Sequence, residues 1–312
     1  MISQTSEQTR PAEQANWKPN ETAAHGPVHL DVTDGERSLH FWRDVLGLQI
    51  LGQTEDEISV GTGGRVLLVL HPGADSPSQR GHAGLYHVAV HVPDAAEFAY
   101  VLARLLSARY PNRPTEHVFS KATYLDDLDG NGVEITLETP ERVKDVDLSV
   151  PGRPELIDAD GNRLPPVGHL DLEEVMSHLE EKGDRPLKPG TWIGHVHLHI
   201  NDLEQARHFY SDLLGFQIGL DTPEIGMLDV HFEGEFKHRI AFNDWQGPVA
   251  AQRPEGMAGL RHVTLVFPGG DRLAAAVKRL KDGGYPTEVT DEGLMVHDPA
   301  GNVLLLVALS GN

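Results

Sequence analysis

One unit of sequence recurs four times along the chain, and this repeat constrains the fold more than any other feature. Each copy begins with a short strand of alternating apolar and polar residues, passes through a turn rich in Asp or Gly, and continues as an amphipathic helix. The four copies begin at Gly26, Gly84, Ile193 and Gly259. Apolar stretches such as "RVLLVL" and "KHRIAF" follow the helices and are typical of strands. The chain is therefore predicted to be an α+β protein of four βαβββ modules.

The third copy carries the clearest local signals. Asp202 stands at an N-cap position with Gln205 three residues later, which is the capping-box pattern. Apolar residues then recur at helical spacing, and Gly215 is predicted to end the helix. The first and third copies are the most alike, because "SLHFWRDVLGLQI" nearly superimposes on "ARHFYSDLLGFQI".

The repeat divides the chain into four predicted regions. Residues 1–25 are polar and lack an apolar segment, which predicts a disordered tail rather than a secretory signal. Residues 26–140 contain modules 1 and 2 as an N-terminal domain, and residues 191–312 contain modules 3 and 4 as a C-terminal domain. Between them, residues 141–190 are rich in Pro, Gly and Asp, which predicts a connector in which "DLEEVMSHLEEKG" forms one helix.

Composition argues against several classes of partner and site. The net charge of −21 disfavours nucleic acid and anionic membranes, because both attract basic surfaces. The chain has no cysteine, so any metal must be held by His, Asp or Glu. No apolar run approaches the roughly 20 residues that a membrane-spanning helix needs. A cytoplasmic location is the expectation that remains.

One strand of module 3 is lined with histidine. In "WIGHVHLHIND", His195, His197 and His199 alternate with apolar residues. Because side chains on a strand alternate between its two faces, all three imidazoles share one face. Such a face is either a solvated polar surface or one wall of a metal site. His199, the last of the three, is expected to face solvent.

The repeated unit, the "FYxDxLGF"-type helix and the stretch "DLDGNGVEI" in module 2 resemble the vicinal oxygen chelate superfamily. This family includes glyoxalase I, bleomycin-resistance proteins and the type I extradiol ring-cleaving dioxygenases. The four-module arrangement is most similar to bacterial catechol 2,3-dioxygenases of the glyoxalase-fold type, and the resemblance covers roughly residues 26–309. It implies that the modules form two cupped half-barrel sheets. It leaves the reaction open, because one scaffold hosts isomerases, lyases, dioxygenases and metal-free binders.

In this family a metal ligand can come from the first strand of a module and another from its last strand. The first-strand positions are Pro27, His87, His195 and His262, and the last-strand positions of modules 2 and 4 are Glu134 and Leu305. Pairing module 2 with module 3 gives a complete set of two histidines and one carboxylate: His87, His195 and Glu134. Such a set leaves positions for substrate and dioxygen on Fe(II), and Mn(II) uses the same ligands. Modules 1 and 4 are then expected to form a structural half, in which His262 is a structural residue.

The resemblance also implies residues that act on a substrate. His238 in "KHRIAF" matches the acid–base histidine of extradiol enzymes, on the last strand of module 3, and Tyr124 matches a tyrosine close to the substrate. The implied reaction is the opening of a small aromatic diol by dioxygen, beside rather than between its hydroxyls. Further candidates for the substrate pocket are His117, His197, Asn243 and Trp245. The chain is expected to work as a monomer or a homo-oligomer.

Two other functions fit the same residues. A glyoxalase-type isomerase or lyase usually needs four protein ligands, and His87, Glu134, His195 and His238 would supply them. A metal-free binding protein of the bleomycin-resistance kind is the second alternative, although a buried triad with nothing to bind would be electrostatically unfavourable. Metal preference and dependence on oxygen distinguish these functions from a dioxygenase.

Overall fold

The computed structural model describes residues 11–18, 20–180, 183–234 and 236–309, and all four predicted modules are present. Module 1 consists of β1 (Ala24–Val32), α1 (Gly35–Leu39), β2 (Gln49–Gln53), β3 (Ile58–Thr62) and β4 (Arg65–Pro72). Module 2 consists of β5 (Gly84–His91), α2 (Ala95–Ser107), β6 (Arg113–Glu116), β7 (Ser120–Asp126) and β8 (Gly132–Glu138). The connector contains β9 (Val143–Asp147), β10 (Glu155–Asp158), β11 (Arg163–Leu164), β12 (Gly168–His169) and α3 (Leu172–Ser177).

The second half of the chain repeats this order of elements. Module 3 consists of β13 (Trp192–His199), α4 (Leu203–Arg207), β14 (Gln217–Thr222), β15 (Met227–His231) and β16 (Ile240–Asn243). Module 4 consists of β17 (Gly259–Phe267), α5 (Gly270–Asp282), β18 (Glu288–Val289), β19 (Leu294–His297) and β20 (Val303–Ala308). None of the helices in the described part of the chain is long and apolar enough to cross a membrane.

The start of α4 shows how the sequence sets the helix ends. The Asp202 side chain accepts hydrogen bonds from the backbone N–H groups of Glu204 and Gln205, as its N-cap position predicts. The Gln205 side chain donates to Asp202 Oδ2 at 3.0 Å, whereas a capping box would use the backbone N–H of Asp202. The helix continues through a π-helical turn (His208–Leu213), and Gly215 follows at a φ of +87°. This left-handed conformation favours glycine and supports the predicted helix end.

Two mixed sheets are built from modules that are paired two with three and one with four. The nine-stranded sheet has the order β12-β6-β7-β8-β5-β13-β16-β15-β14, and the eight-stranded sheet has the order β18-β19-β20-β17-β1-β4-β3-β2. At the centre of each sheet, the first strands of two modules pair antiparallel: β5 with β13, and β1 with β17. This is the two–three pairing that the ligand set predicts. Both sheets combine modules from the two predicted domains, and the division of the chain at residues 141–190 stays a prediction.

One apolar core joins the two sheets. It contains alternate residues of the central strands, such as Val28 and Leu30 on β1 and Val196 and Leu198 on β13, all fully buried. Because side chains alternate along a strand, burying this face of β13 turns His195 and His197 to the opposite face. The core therefore fixes which way the histidines point.

The segment before β1 differs from the predicted tail. Residues 1–10 lie outside the described residues, but Pro11–Gln14 forms a 3-10 turn, and Ala12 and Ala15 pack against Ala24 and Val266. Within this segment Glu21 forms a two-point ion pair with Arg239, at 2.9 and 3.1 Å, and both side chains are inaccessible to solvent. The polar composition does not predict this docking. Glu21 has the local sequence of a solvent-exposed residue, because its partner Arg239 lies more than 200 residues away along the chain.

Replacing Glu21 with Ala is expected to lower the free energy of unfolding by about 3–5 kcal/mol, because it leaves the Arg239 guanidinium buried without a counter-charge. Urea denaturation followed by circular dichroism measures the change. The control is Asp282→Ala, which removes an exposed partner of Lys278 on α5 and is expected to change stability by less than about 0.5 kcal/mol. Equal stability of Glu21→Ala and the wild-type chain would mean that the segment is not docked in solution.

Candidate metal centre

Three donor atoms converge on neighbouring strands of the nine-stranded sheet. His87 lies on β5, Glu134 on β8 and His195 on β13, and all three side chains are buried. Glu134 Oε2 lies 3.1 Å from His87 Nε2 and 3.0 Å from His195 Nε2, and the two Nε2 atoms are 3.1 Å apart. We call these residues the ligand triad. Among the described residues, they are the one group of three or more His, Asp or Glu residues whose donor atoms all lie within 4.8 Å of one another.

Strand register brings the ligand triad together. In the parallel pair of β5 and β8, Glu134 lies opposite Ala89, two residues after His87 and therefore on the same face. In the antiparallel pair of β5 and β13, His195 also lies opposite Ala89. The three ligands thus surround one position of the central strand β5.

A glycine allows β8 to approach β5 closely. An added Cβ at Gly132 would lie 1.9 Å from the carbonyl oxygen of Tyr86, which is a severe clash. Just before it, the Asp127 side chain accepts the backbone N–H groups of Asp129 and Asn131, which closes the turn into β8. The stretch "DLDGNG" therefore sets where β8 begins, and with it the position of Glu134.

Hydrogen bonds alone do not satisfy the ligand triad. If both Nε2 atoms carry a proton, their two N–H groups face each other. If only one carries a proton, the lone pair of the other faces the Glu134 carboxylate. If neither carries a proton, the lone pairs of both nitrogens and of the carboxylate oxygen converge. A divalent cation satisfies all three. The observed distances between the three donor atoms also match the separation of about 3.0 Å between two ligands that lie at a right angle on one ion, when each metal–ligand bond is about 2.1 Å long. Two histidines and one carboxylate on one side of an ion leave its other positions open.

The protonation states suit metal binding. Burial, together with the nearby charge of His238, lowers the pKa of His195 to about 3, so its imidazole is neutral at pH 7. Burial also opposes ionisation of Glu134, but hydrogen bonds and charge interactions with His195 and His87 outweigh it and hold the pKa well below its usual range. Glu134 is therefore a carboxylate beside the neutral imidazole of His195. A divalent ion bound by one carboxylate and two neutral imidazole ligands would carry a net charge of +1.

His238 lies beside the ligand triad but outside it. Its ring meets the ring of His195 edge to face at a centroid distance of 4.4 Å, and its Nδ1–H donates to Asp229 Oδ2 at 2.8 Å. Burial lowers the pKa of His238, but the charge and hydrogen bond of Asp229 outweigh this effect and raise it overall. The prediction that His238 lies on the last strand of module 3 is wrong: it precedes β16, which begins at Ile240. Asp229 on β15 was not identified from the sequence, because its partner comes from another element.

Tyr124 and His117 form a pair on another side of the ligand triad. Tyr124 lies opposite Glu134 in the β7–β8 ladder, and its ring centroid is 5.5 Å from that of His87. His117 Nδ1 lies 2.8 Å from the carbonyl oxygen of Pro166, which can only accept, so Nδ1 carries the proton. His117 Nε2 therefore accepts from the Tyr124 hydroxyl, also at 2.8 Å. Burial, followed by the charge of Glu134, raises the pKa of Tyr124 well above its usual range and keeps the phenol neutral.

The other predicted pocket residues form an aromatic and amide-rich wall. The Asn243 amide donates to His197 Nε2 at 2.9 Å, and its carbonyl oxygen accepts from His199 Nδ1 at 2.7 Å. His199 is thus half-buried and held in place, where the sequence predicts a solvent-facing residue. The Tyr86 ring, not identified from the sequence, contacts the rings of His87, His197, His199 and Trp245 at centroid distances of 4.9 to 5.5 Å.

A further histidine supports the ligand triad from behind. His91 is almost fully buried, and its Nε2 lies 3.3 Å from His195 Nδ1, while its Nδ1 lies 3.2 Å from Glu138 Oε1. Gly194 makes room for this ring, since an added Cβ would lie 2.1 Å from it. A proton on His195 Nδ1 is donated to His91 Nε2, which leaves the His195 Nε2 lone pair free for a metal. His87 and His91 are four residues apart and therefore share one face of β5, and this spacing is the sequence signal that points to His91.

Comparison with known proteins identifies relatives of the chain. A family model described as the glyoxalase/bleomycin resistance protein/dioxygenase superfamily matches residues 26–135 and 192–306. A Bacillus subtilis (strain 168) protein named catechol-2,3-dioxygenase is 32% identical over 292 residues, which cover 91% of this chain and 98% of the relative. The first matched range corresponds to modules 1 and 2, and the second corresponds to modules 3 and 4.

Solved structures show the same fold at low sequence identity. Glyoxalase I from Zea mays aligns with a TM-score of 0.54 and 15% identity, over 92% of this chain and 93% of that chain. The cppA protein from Streptococcus pneumoniae TIGR4 aligns with a TM-score of 0.52 and 14% identity, over 93% of this chain and 99% of that chain. These likenesses support the predicted arrangement of modules and carry no information about the reaction.

Replacing His91 with Phe is expected to weaken metal binding by about 10- to 100-fold, because it removes the hydrogen-bond acceptor that orients His195. Competition with a chromophoric chelator measures the dissociation constant. Gly194→Ala is expected to act in the same direction, since the added methyl displaces the His91 ring. The control is His25→Phe, which removes a buried imidazole bound to the carbonyl of Arg239 rather than to the ligand triad. Wild-type affinity in His91→Phe would contradict the role of this residue.

Proposed function

Because the chain belongs to the glyoxalase/bleomycin resistance/dioxygenase superfamily, we propose that it is an extradiol dioxygenase, which opens a catechol-type ring with dioxygen at a single non-haem metal ion, Fe(II) or Mn(II). The observation that carries this proposal is the ligand triad, two histidines and one carboxylate whose donor atoms converge at 3.0 to 3.1 Å. Such a set leaves open positions for two diol oxygens and dioxygen. The catechol-2,3-dioxygenase name of the Bacillus subtilis relative supports the same choice.

The donor count favours this reaction over a glyoxalase-type one. The alternative needs His238 as a fourth ligand, but His238 lies outside the group of donors that converge within 4.8 Å of one another. The alternative of a metal-free binder leaves the three convergent lone pairs without a partner. The dioxygenase proposal uses all three ligands and leaves His238 free for proton transfer.

The metal, when bound, would supply a shared site for the diol and dioxygen and a path for electrons between them. The net charge of +1 at the occupied ligand triad favours an anionic diol over a neutral one. Both atoms of dioxygen enter the product when the ring bond beside the diol breaks, so no external reductant is needed. The rest of the chemistry is binding, orientation and proton transfer, which fall to the protein's own side chains.

His238 and Tyr124 are the residues that we assign to the reacting atoms. His238 takes a proton from the diol and later returns it, with its ring held by the hydrogen bond from Nδ1 to Asp229, so that Nε2 is the atom that exchanges the proton. Tyr124 stays a neutral phenol that donates its hydrogen bond to His117 Nε2, and its oxygen accepts a hydrogen bond from a substrate hydroxyl. Tyr86, His197, Asn243 and Trp245 form the wall against which the ring lies.

Purified protein reconstituted anaerobically with Fe(II) is expected to turn catechol yellow and to consume one dioxygen per ring when oxygen is admitted. His87→Ala is expected to abolish the reaction, because it removes a ligand, and His262→Ala is expected to retain it. The measurement is absorbance together with oxygen uptake, repeated with Mn(II). Absence of product from the wild-type chain with catechol and substituted catechols would reject the proposal, and loss in His262→Ala alone would move the site to modules 1 and 4.

His238→Gln is expected to lower kcat by about 10²- to 10⁴-fold while the protein still binds one metal ion at the ligand triad, because it removes proton transfer and not a ligand. Turnover and metal content are measured on the same sample. His195→Ala is the comparison and is expected to lose both. If His238→Gln also lost the metal, His238 would be a fourth ligand and the isomerase alternative would be favoured.

A further inference from the structure

A second group of histidines lies in the eight-stranded sheet. His29 on β1, His71 on β4 and His262 on β17 are all less than a tenth exposed, and we call them the histidine cluster. His29 Nδ1 lies 2.9 Å from His71 Nε2. The rings of His29 and His262 stack with a centroid distance of 3.9 Å. The cluster belongs to modules 1 and 4 and is separate from the ligand triad.

Two residues of the histidine cluster, His29 and His71, occupy positions that correspond to members of the ligand triad. In module 1, His71 lies opposite Asp31, two residues after His29, in the parallel pair of β1 and β4. Glu134 has the same relation to His87 in the pair of β5 and β8. His29 is thus the counterpart of His87, and His71 is the counterpart of Glu134.

The register corrects one expectation from the sequence. The sequence predicts Pro27 as the first-strand position of module 1, but His29 is the residue that has the strand relation of His87. His262, which the sequence predicts to be structural, lies directly opposite His29 in the β1–β17 pair, as His197 lies opposite His87 in the β5–β13 pair. The corresponding last-strand position of module 4 is Leu305, which lies opposite Thr264 and supplies no ligand.

The imidazoles of the cluster are neutral and available to a cation, because burial, together with the nearby Arg261 guanidinium, lowers the pKa of all three histidines. Neither ring nitrogen of His262 has a hydrogen-bond partner, although the residue is only 3% exposed. An unpaired polar group in such a position is unfavourable and indicates a missing ligand. Burial lowers the pKa of His262 to about 3 and that of His71 to about 4, so both imidazoles are neutral and offer lone pairs. Glu57 Oε1 lies 3.6 Å from His71 Nδ1, which is too far for a hydrogen bond but places a carboxylate beside the cluster.

We propose that the histidine cluster is a second metal site, which binds zinc or another imidazole-preferring divalent ion through His29, His71 and His262. His29 Nδ1 and His71 Nε2 share a hydrogen bond at 2.9 Å, which the ion would replace by moving the two atoms to the roughly 3.3 Å that separates tetrahedral ligands. The donor atoms of the three histidines do not all lie within 4.8 Å of one another, so the His262 ring turns out of its stack on His29 to supply the third ligand. Water or a small anion completes the tetrahedral set. With three neutral ligands the ion keeps its full charge of +2, so this site differs from the ligand triad and joins β1, β4 and β17.

The test is the number of zinc ions bound per chain, counted by inductively coupled plasma mass spectrometry after the metal-free protein is equilibrated with zinc and desalted. Wild type is expected to bind two, His87→Ala one at the histidine cluster, His262→Ala one at the ligand triad, and the double variant none. Thr264→Ala is the matched control: it alters another buried residue of β17 and is expected to bind two. One zinc in wild type, or an unchanged count in His262→Ala, would overturn the proposal.

A second readout does not depend on the folding of His262→Ala. In the His87→Ala background, zinc is expected to raise the melting temperature, and X-ray absorption is expected to show three imidazole nitrogens around the ion. His71→Gln in the same background is expected to remove both effects. A melting temperature that zinc leaves unchanged, or an absorption spectrum with carboxylate ligands and fewer imidazoles, would reject the site. Because this test uses zinc and no substrate, it is independent of the proposed dioxygenase activity.

Discussion

The hydrogen-bonded ladder between β5 and β13 is the interaction on which the ligand triad depends. It joins the first strands of two modules that lie on opposite sides of the connector, and it places His87 and His195 next to each other. The parallel pairing of β5 with β8 then adds Glu134. Neither module holds the full set, so the site exists only when two halves of the chain form one sheet. Forming the site therefore requires segments that are far apart in the sequence to come together, which costs conformational entropy.

Periodicity and repetition were sufficient to predict the four modules and to find corresponding positions in each copy. The resemblance to the superfamily was needed as well, because it says that the first and last strands of a module carry ligands, and only then are His87, Glu134 and His195 selected. His238 was placed on the wrong element because "KHRIAF" reads as one continuous strand, whereas pairing with β15 begins only at Ile240. Strand ends depend on the neighbouring strand, which a local pattern does not contain.

The residues that were missed share one property: their partners come from other elements. Asp229 contacts His238 from β15, and His91 contacts His195 from β5. Glu21 is the clearest case, because its polar surroundings predict disorder while a buried arginine far along the chain holds it in place. The shift from Pro27 to His29 has a related cause, since register between strands, and not spacing along one strand, decides which positions correspond.

The Glu21–Arg239 pair has a consequence for handling the protein. Arg239 also donates to the carbonyl oxygen of Gly194, next to His195. The segment before β1 thus reaches the strand that carries a metal ligand through a single guanidinium. Trimming the chain at the first obvious strand, or fusing a bulky tag near residue 20, would disturb a region that looks dispensable in sequence. Preparations that differ only at the amino terminus would then differ in metal content.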